Sequence, residues 1–254
     1  MPEEIHLEHS VATQYSNNRF LRRARPENYV QRALCIPGNH ALAFTDVNST
    51  YAIDSIDQSF PEAKWDNDKR YFTLPKKNGT LTVIRGVHRY PDGISFRAVG
   101  ISDKLETYRL NNGIEDAIGL VVEDGGIPVL SSPGSPAAKG VETGLAKELM
   151  DAYPELYAEA NLASELFDDY IRGIALQKEI AEIDSSRVLQ TANVKRPYRL
   201  LETGTVMQGP DILTSLKNND VIGHKKSYLQ GVRNAWALVT SITDPLRGLR
   251  GFTE

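Results

Sequence analysis

Two glycine turns, Asn78-Gly79 and Pro91-Asp92-Gly93, constrain this chain most. Each glycine accepts positive φ, and the Asn or Asp before it stabilises the bend, so both are strong hairpin signals. The residues between and after them alternate. Leu81 and Val83, then Ile94, Phe96 and Ala98, recur on every second position, the period of a strand with one buried side. Residues 70–74, 80–87 and 94–101 therefore read as an antiparallel meander, and a chain that contains one must build a sheet around it.

The same signals extend the β pattern upstream. Residues 29–36 and 41–45 flank the Pro37-Gly38-Asn39-His40 turn, and 50–53 follow as a further strand. Downstream, the continuous apolar run Ile118-Gly119-Leu120-Val121-Val122 reads as a central strand buried on both faces. Residues 127–130 read as its partner across Glu123-Asp124-Gly125-Gly126.

After Gly140 the period changes. Leu145, Leu149, Leu156, Leu166, Phe167, Tyr170, Ile171 and Ile174 recur at three- and four-residue spacing with acids on the opposite side. This predicts helices over about 141–152 and about 154–183, with Pro154 in the first turn of the second. A short helix over 211–217 follows Pro210, and an amphipathic one over about 227–242 carries Tyr228, Val232, Trp236 and Val239. The expected fold class is α+β: an antiparallel or mixed sheet in the N-terminal half, packed against long helices from the C-terminal half. Residues 1–28 read as an N-terminal arm and 29–254 as a single α+β domain, β-rich over 29–130 and mainly helical over 141–254.

Composition narrows the function classes. The chain has 254 residues and one cysteine, Cys35, which fits a reducing compartment and reads as a packed thiol in a strand. It lacks a basic, apolar leader and any run long enough to span a bilayer, so the expected location is cytoplasmic, with no membrane partner. The net charge of −4 is unevenly spread: residues 142–184 carry −8 and residues 185–254 carry +5. The basic C-terminal third, with Arg19, Arg22, Arg23, Arg25 and Arg32 near the start, leaves nucleic acid binding as an alternative. The acidic 154–183 helix offers a homo-oligomer interface, the basis of a second alternative, a non-catalytic assembly protein.

The site expected from sequence is the loop 131–144. A strand, a small-residue loop and a helix start follow in the order that presents free backbone N–H groups and a helix dipole to an anion. Ser131, Ser132 and Ser135 add hydroxyls, Gly134 and Gly140 give the backbone room, and Lys139 adds a point charge. Val141 stands where a Walker loop would place its lysine, and Ser135 and Lys139 are four apart, so neither Walker nor Ser-x-x-Lys chemistry is implied. Glu142 and Glu148 are the candidate acid–base or metal-binding carboxylates. The expected function is a hydrolase or transferase acting on a phosphate-bearing or nucleotide-like ligand. No metal ligands are assigned, and a divalent ion such as Mg²⁺ is the cofactor these acids would suit.

Pro133-Gly134, Gly140 and Lys147-Glu148-Leu149 give this stretch a resemblance to the Nudix hydrolase box. The resemblance implies Mg²⁺ held by helical acids. The chain departs from that pattern at Ser135, Val141 and Ala152, leaves only Asp151 of the acidic pair, and matches over about twenty residues. Gly38-Asn39-His40 is similar to the Gly-Asn-His of calcineurin-like phosphoesterases, whose upstream Asp-x-His and Gly-Asp are missing, so it reads as a turn. His6-x-x-His9 has no cysteine partner nearby to complete a structural metal site.

Overall fold

The computed structural model describes residues 4–16, 25–134, 139–161, 185–191, 204–209 and 211–225. These contribute eleven strands to one mixed sheet: β1 (Glu4–Val11), β2 (Asn39–Phe44), β3 (Lys64–Trp65), β4 (Tyr71–Lys76), β5 (Gly79–Arg89), β6 (Phe96–Val99), β7 (Ile127–Leu130), β8 (Tyr157–Asn161), β9 (Val188–Thr191), β10 (Gly204–Gln208) and β11 (Val221–Lys225). Five α-helices accompany them among the described residues: α1 (Pro26–Leu34), α2 (Tyr51–Ser59), α3 (Ile114–Glu123), α4 (Thr143–Ala152) and α5 (Ile212–Lys217).

The pairings curl the sheet back on itself. From β5 the order runs through β6, β7, β8, β9, β10, β1 and β2, and β2 pairs with β5 again. Within this ring β1, β2, β5, β7, β8 and β9 run one way, while β6 and β10 run antiparallel to their neighbours. Strands β4 and β3 extend from the first half of β5, and β11 lies beside β10.

Alternation along each strand splits the core into an inside and an outside. The inner face holds Ile5, Leu7, Ala41, Ala43, Ile84, Val99, Ile127, Val129, Tyr157, Leu189 and Met207. Helix α5 closes one end of this interior with Ile212, Leu213 and Leu216. The phenol of Tyr157 fastens it, donating to the Leu216 carbonyl and lying 2.6 Å from Asn219 Oδ1. The outer face is covered by α1 and α2 around Leu42, Phe44, Leu81 and Val83, and by α3 and α4 around Phe96, Ala98, Leu130 and Ala158.

Several expectations are corrected here. The sheet is not confined to the N-terminal half, because β8, β9, β10 and β11 belong to it. The run 118–122 is not a strand but the second half of α3, which buries Ile114, Ala117, Ile118 and Val121 at helical spacing. Residues 29–34 form most of α1, not a strand, with Pro26 in its first turn and Tyr29, Val30 and Ala33 buried. Residues 50–53 open α2, which buries Ala52, Ile53 and Ile56. Cys35 is exposed at the end of α1, not packed in a strand. The long helix expected from 154 is overturned at its start, where 157–161 form β8. Its remainder, 162–183, and the helix expected over 227–242 lie outside the described residues. The meander, the helix at 143–152 and the short helix after Asp211 are present, and Asp211 caps α5 by accepting from Thr214 N at 2.9 Å. Residues 4–11, placed by sequence in the arm, form β1 between β2 and β10. Among the described residues no helix is long and apolar enough to cross a membrane.

Candidate active site

Every strand of the ring changes character along its length. Towards the carboxyl end of the six co-directional strands, the inward positions turn polar. On β1, Ile5 and Leu7 give way to His9, and after Ala41 and Ala43 of β2 comes Thr45. On β5, His88 follows Ile84; on β7, Ser131 follows Val129; on β8, Glu159 follows Tyr157; on β9, Thr191 follows Leu189. The two reversed strands obey the same rule from their other ends, placing Arg97 and Ser95 above Val99, and Thr205 above Met207. The interior is thus apolar where α5 closes it and polar at the opposite rim. In barrels of parallel strands the carboxyl-end rim is where loops from several strands converge on a ligand.

A bulge enriches this rim. The register of β1 against β2 shifts between Glu8 and Val11, and Glu8 is fully buried next to His9. Glu8 accepts from Thr191 Oγ1 and, at 3.1 Å, from Ser10 N. Glu159 is the hub of the cluster. It pairs with Arg97, accepts from Ser131 Oγ at 2.7 Å and from Ser132 Oγ at 3.5 Å, and lies 3.7 Å from His9 Nε2. That last separation is too long for a hydrogen bond. His9 Nδ1 and Arg97 Nε are both buried with no hydrogen-bond partner among the described residues. A buried polar atom without a partner is costly and rare, and a bound ligand is one way to satisfy it.

Burial first, and the Arg97 guanidinium second, hold both His9 and His88 well below the ordinary histidine value. Both are neutral imidazoles at neutral pH, able to take a proton. Arg97 is pushed down to about 10 by burial, opposed by Glu8 and Tyr90, and stays cationic. His88 Nε2 lies 2.8 Å from Ser95 Oγ, and the His88 ring sits 4.7 Å from that of Tyr90.

The rim loops are braced. Asp46 accepts from Thr13 N at 2.5 Å, Thr13 Oγ1 at 2.7 Å and Ser16 Oγ at 2.7 Å, joining the segments that follow β1 and β2. Its burial raises its pKa against the pull of these hydrogen bonds.

The sequence-predicted loop borders this rim. Ser131 and Ser132 touch Glu159 directly. Lys139 places its Nζ 5.0 Å from the centre of the Tyr90 ring, and its carbonyl accepts from Ser95 N at 2.7 Å. Gly134 N donates to Val141 O at 2.6 Å, closing the loop's base. Ser132 and Lys139 carry positive φ, the local strain often stored at binding loops, and Gly134 adopts positive φ without strain. Gly140 is half-buried, and Ser135 lies outside the described residues. Glu142 precedes α4 as its cap and Glu148 lies within that helix; both are exposed, and no hydrogen bond or ion pair of the described residues ties either to Glu159. Of the basic cluster, Arg19, Arg22 and Arg23 lie outside the described residues, and Arg32 is exposed on α1. Sequence reasoning passed over Arg97, Glu159, Ser95 and His88. Their one signal was a polar residue at the inward position of an otherwise apolar strand end, legible only once the inward face is known.

A cavity of about 330 Å³ lies elsewhere, lined by Asp54, Asp57, Asp103, Lys69, Arg85 and Trp65. Its charges already answer one another: Arg85 with Asp54 at 3.4 Å, Lys69 with Asp103 at 3.4 Å, and Trp65 Nε1 donating to Asp57 at 2.7 Å. It is a solvated ion-pair network, whereas His9 Nδ1 and Arg97 Nε at the rim are buried without a hydrogen-bond partner among the described residues. Among the described residues no cluster of His, Cys, Asp and Glu is arranged to hold a metal ion.

No protein-family model matches the chain. No curated protein matches it either. Among solved structures it is similar to PsfC from Pseudomonas syringae PB-5123, at 9% identity and a TM-score of 0.55, over 95% of this chain and 98% of that one. A likeness at that identity is one of fold. An amidohydrolase from Chromobacterium violaceum aligns at 10% identity and a TM-score of 0.47, over 92% and 96% of the two chains.

Proposed function

We propose that this protein is an enzyme, a hydrolase or transferase, whose small anionic substrate binds at the polar rim. In this reading a phosphate or similar anion is held between Arg97 and the 131–144 loop, with Ser132 and Lys139 as further donors. The observation that carries it is the pair of buried, unpartnered groups, His9 Nδ1 and Arg97 Nε, at the one end of the interior where all eight ring strands turn polar. Arg97 supplies a fixed cationic fork in a low-dielectric site, where such a donor is worth far more than in water. Neutral His9 is one proton acceptor at the rim, and Glu159 beside it stabilises the imidazolium that forms. This reading places the proton transfer on His9, steadied by Glu159, rather than on Glu142 and Glu148, which are exposed at α4.

The test is a thermal-shift and calorimetric screen against inorganic phosphate, sugar phosphates and nucleotides. A ligand at about a hundred times its dissociation constant stabilises the folded state by about 2.7 kcal/mol. Lys139→Ala, which removes a point charge, and Arg97→Lys, which keeps the charge beside Glu159 but removes the planar fork, each weaken that shift. The reading is refuted if no phosphorylated compound raises the melting temperature, or if both variants respond as the wild type does.

A further inference from the structure

On β5 and β6, directly opposed across the ladder, His88 faces Arg97, and Ser95 lies two residues before Arg97 on the same inward side. Ser95 Oγ is 2.8 Å from His88 Nε2. Ser95 is 3% and His88 9% exposed. The backbone of Ser95 is pinned on both sides, its N–H by the Lys139 carbonyl and its carbonyl by Ser131 N at 2.9 Å. The Tyr90 ring packs beside His88 and so restricts the imidazole. A hydroxyl within hydrogen-bond reach of an imidazole, with a cationic donor one residue pair away, is the arrangement from which covalent acyl transfer proceeds.

We propose that Ser95 is a nucleophile and His88 its general base, so that the rim cleaves a carboxylic ester of its anionic substrate through an acyl-enzyme. This rests on the reading of the rim as the active site. With the ring proton on Nδ1, Nε2 accepts the Ser95 hydroxyl. As Oγ bonds to the acyl carbon, the hydroxyl proton passes to Nε2 and the carbonyl electron pair moves onto oxygen, for which Arg97 Nε, buried without a hydrogen-bond partner among the described residues, is the assigned donor. Collapse breaks the bond to the leaving alcohol, which takes the proton from Nε2. Water then attacks the acyl carbon, gives its proton to Nε2, and displaces Ser95 Oγ, which takes that proton back. Ester and water become acid and alcohol, with no change of oxidation state.

Burial and Arg97 keep His88 neutral well below the ordinary histidine range, so the base is in its working form at neutral pH and in mild acid.

The experiment uses methanesulfonyl fluoride, small enough for a nearly buried hydroxyl, with intact-mass and peptide mapping, alongside burst kinetics on p-nitrophenyl acetate. Wild-type protein is expected to carry one adduct, on Ser95, and to show an acyl burst. Ser95→Ala abolishes both. His88→Gln slows labelling by about 10²-fold or more, the usual worth of a positioned base. The wild-type labelling rate stays flat as pH falls through about 6.5, the ordinary histidine value, where a solvent-exposed base would lose it. Thermal melts confirm that each variant is folded. The proposal is overturned if folded wild-type protein gains no adduct at Ser95, or if His88→Gln labels at the wild-type rate. In either case, a phosphate-induced thermal shift that persists confines the failure to the nucleophile, and a shift that is also absent removes the rim as a site.

Discussion

Two buried neutral histidines make this protein's stability depend on pH in a way that can be calculated. His9 and His88 both have folded-state pKa values held well below the unfolded value, by burial first and by Arg97 second. The unfolded chain therefore binds a proton at each as pH falls through about 6.5, while the folded chain does not. Stability is fully present above that value and is lost as pH drops below it. Between about pH 7.5 and about pH 5.5, one such histidine costs on the order of 1 kcal/mol, and the two together roughly twice that. Against a typical total of about 5–15 kcal/mol this is a readily measured loss. The assay is urea denaturation at both pH values for wild type and for His9→Gln, which keeps a polar side chain but cannot titrate. Asp46, whose raised pKa acts in the opposite direction in acid, and every other group cancel in the comparison. His9→Gln is expected to reduce the acid-induced loss by on the order of 1 kcal/mol, the share of one histidine over that interval. If the variant and the wild type lose the same stability, His9 is not held neutral and the account of the rim's electrostatics is wrong.

Three further outcomes test the architecture. Gly100→Ala is expected to loosen α5, because the new Cβ would lie 2.5 Å from Leu213 Cδ2 at a φ of +69°; overpacking costs about 1–3 kcal/mol, read as a lower urea midpoint. Asp46→Ala strands the donors of Thr13 and Ser16, each worth about 1–3 kcal/mol if left buried and unsatisfied, and hydrogen exchange at the Thr13 amide should quicken. Tyr157→Phe removes the phenol that holds the Leu216 carbonyl and should lower stability by about 1–2 kcal/mol, seen in a thermal melt with the rest of the sheet unchanged.

What the sequence determined by itself was local. The Asn78-Gly79 and Pro91-Asp92-Gly93 turns, the alternation around them, the helix after Gly140 and the short helix at 211–217 are encoded within a few residues, and each is present. The small residues after Leu130 also marked the break between β7 and α4. Short apolar runs were misread because periodicity cannot separate a buried strand from a helix of two or three turns: Ile118 and Val121 serve a helix as well as a strand. At 157–161 the opposite happened, where alanine and glutamate look helical but Tyr157 and Glu159 alternate inward on a strand. Only the tertiary structure decided the site. Glu8, His9, His88, Ser95, Arg97 and Glu159 are spread over some 150 residues of chain, and nothing local relates them. They meet because β-strands deliver every second side chain to one face, and because pairing β2 with both β1 and β5 returns the ladder to where it began. Six strands running the same way then bring their polar ends to one rim, while the greasy ends are stoppered by α5.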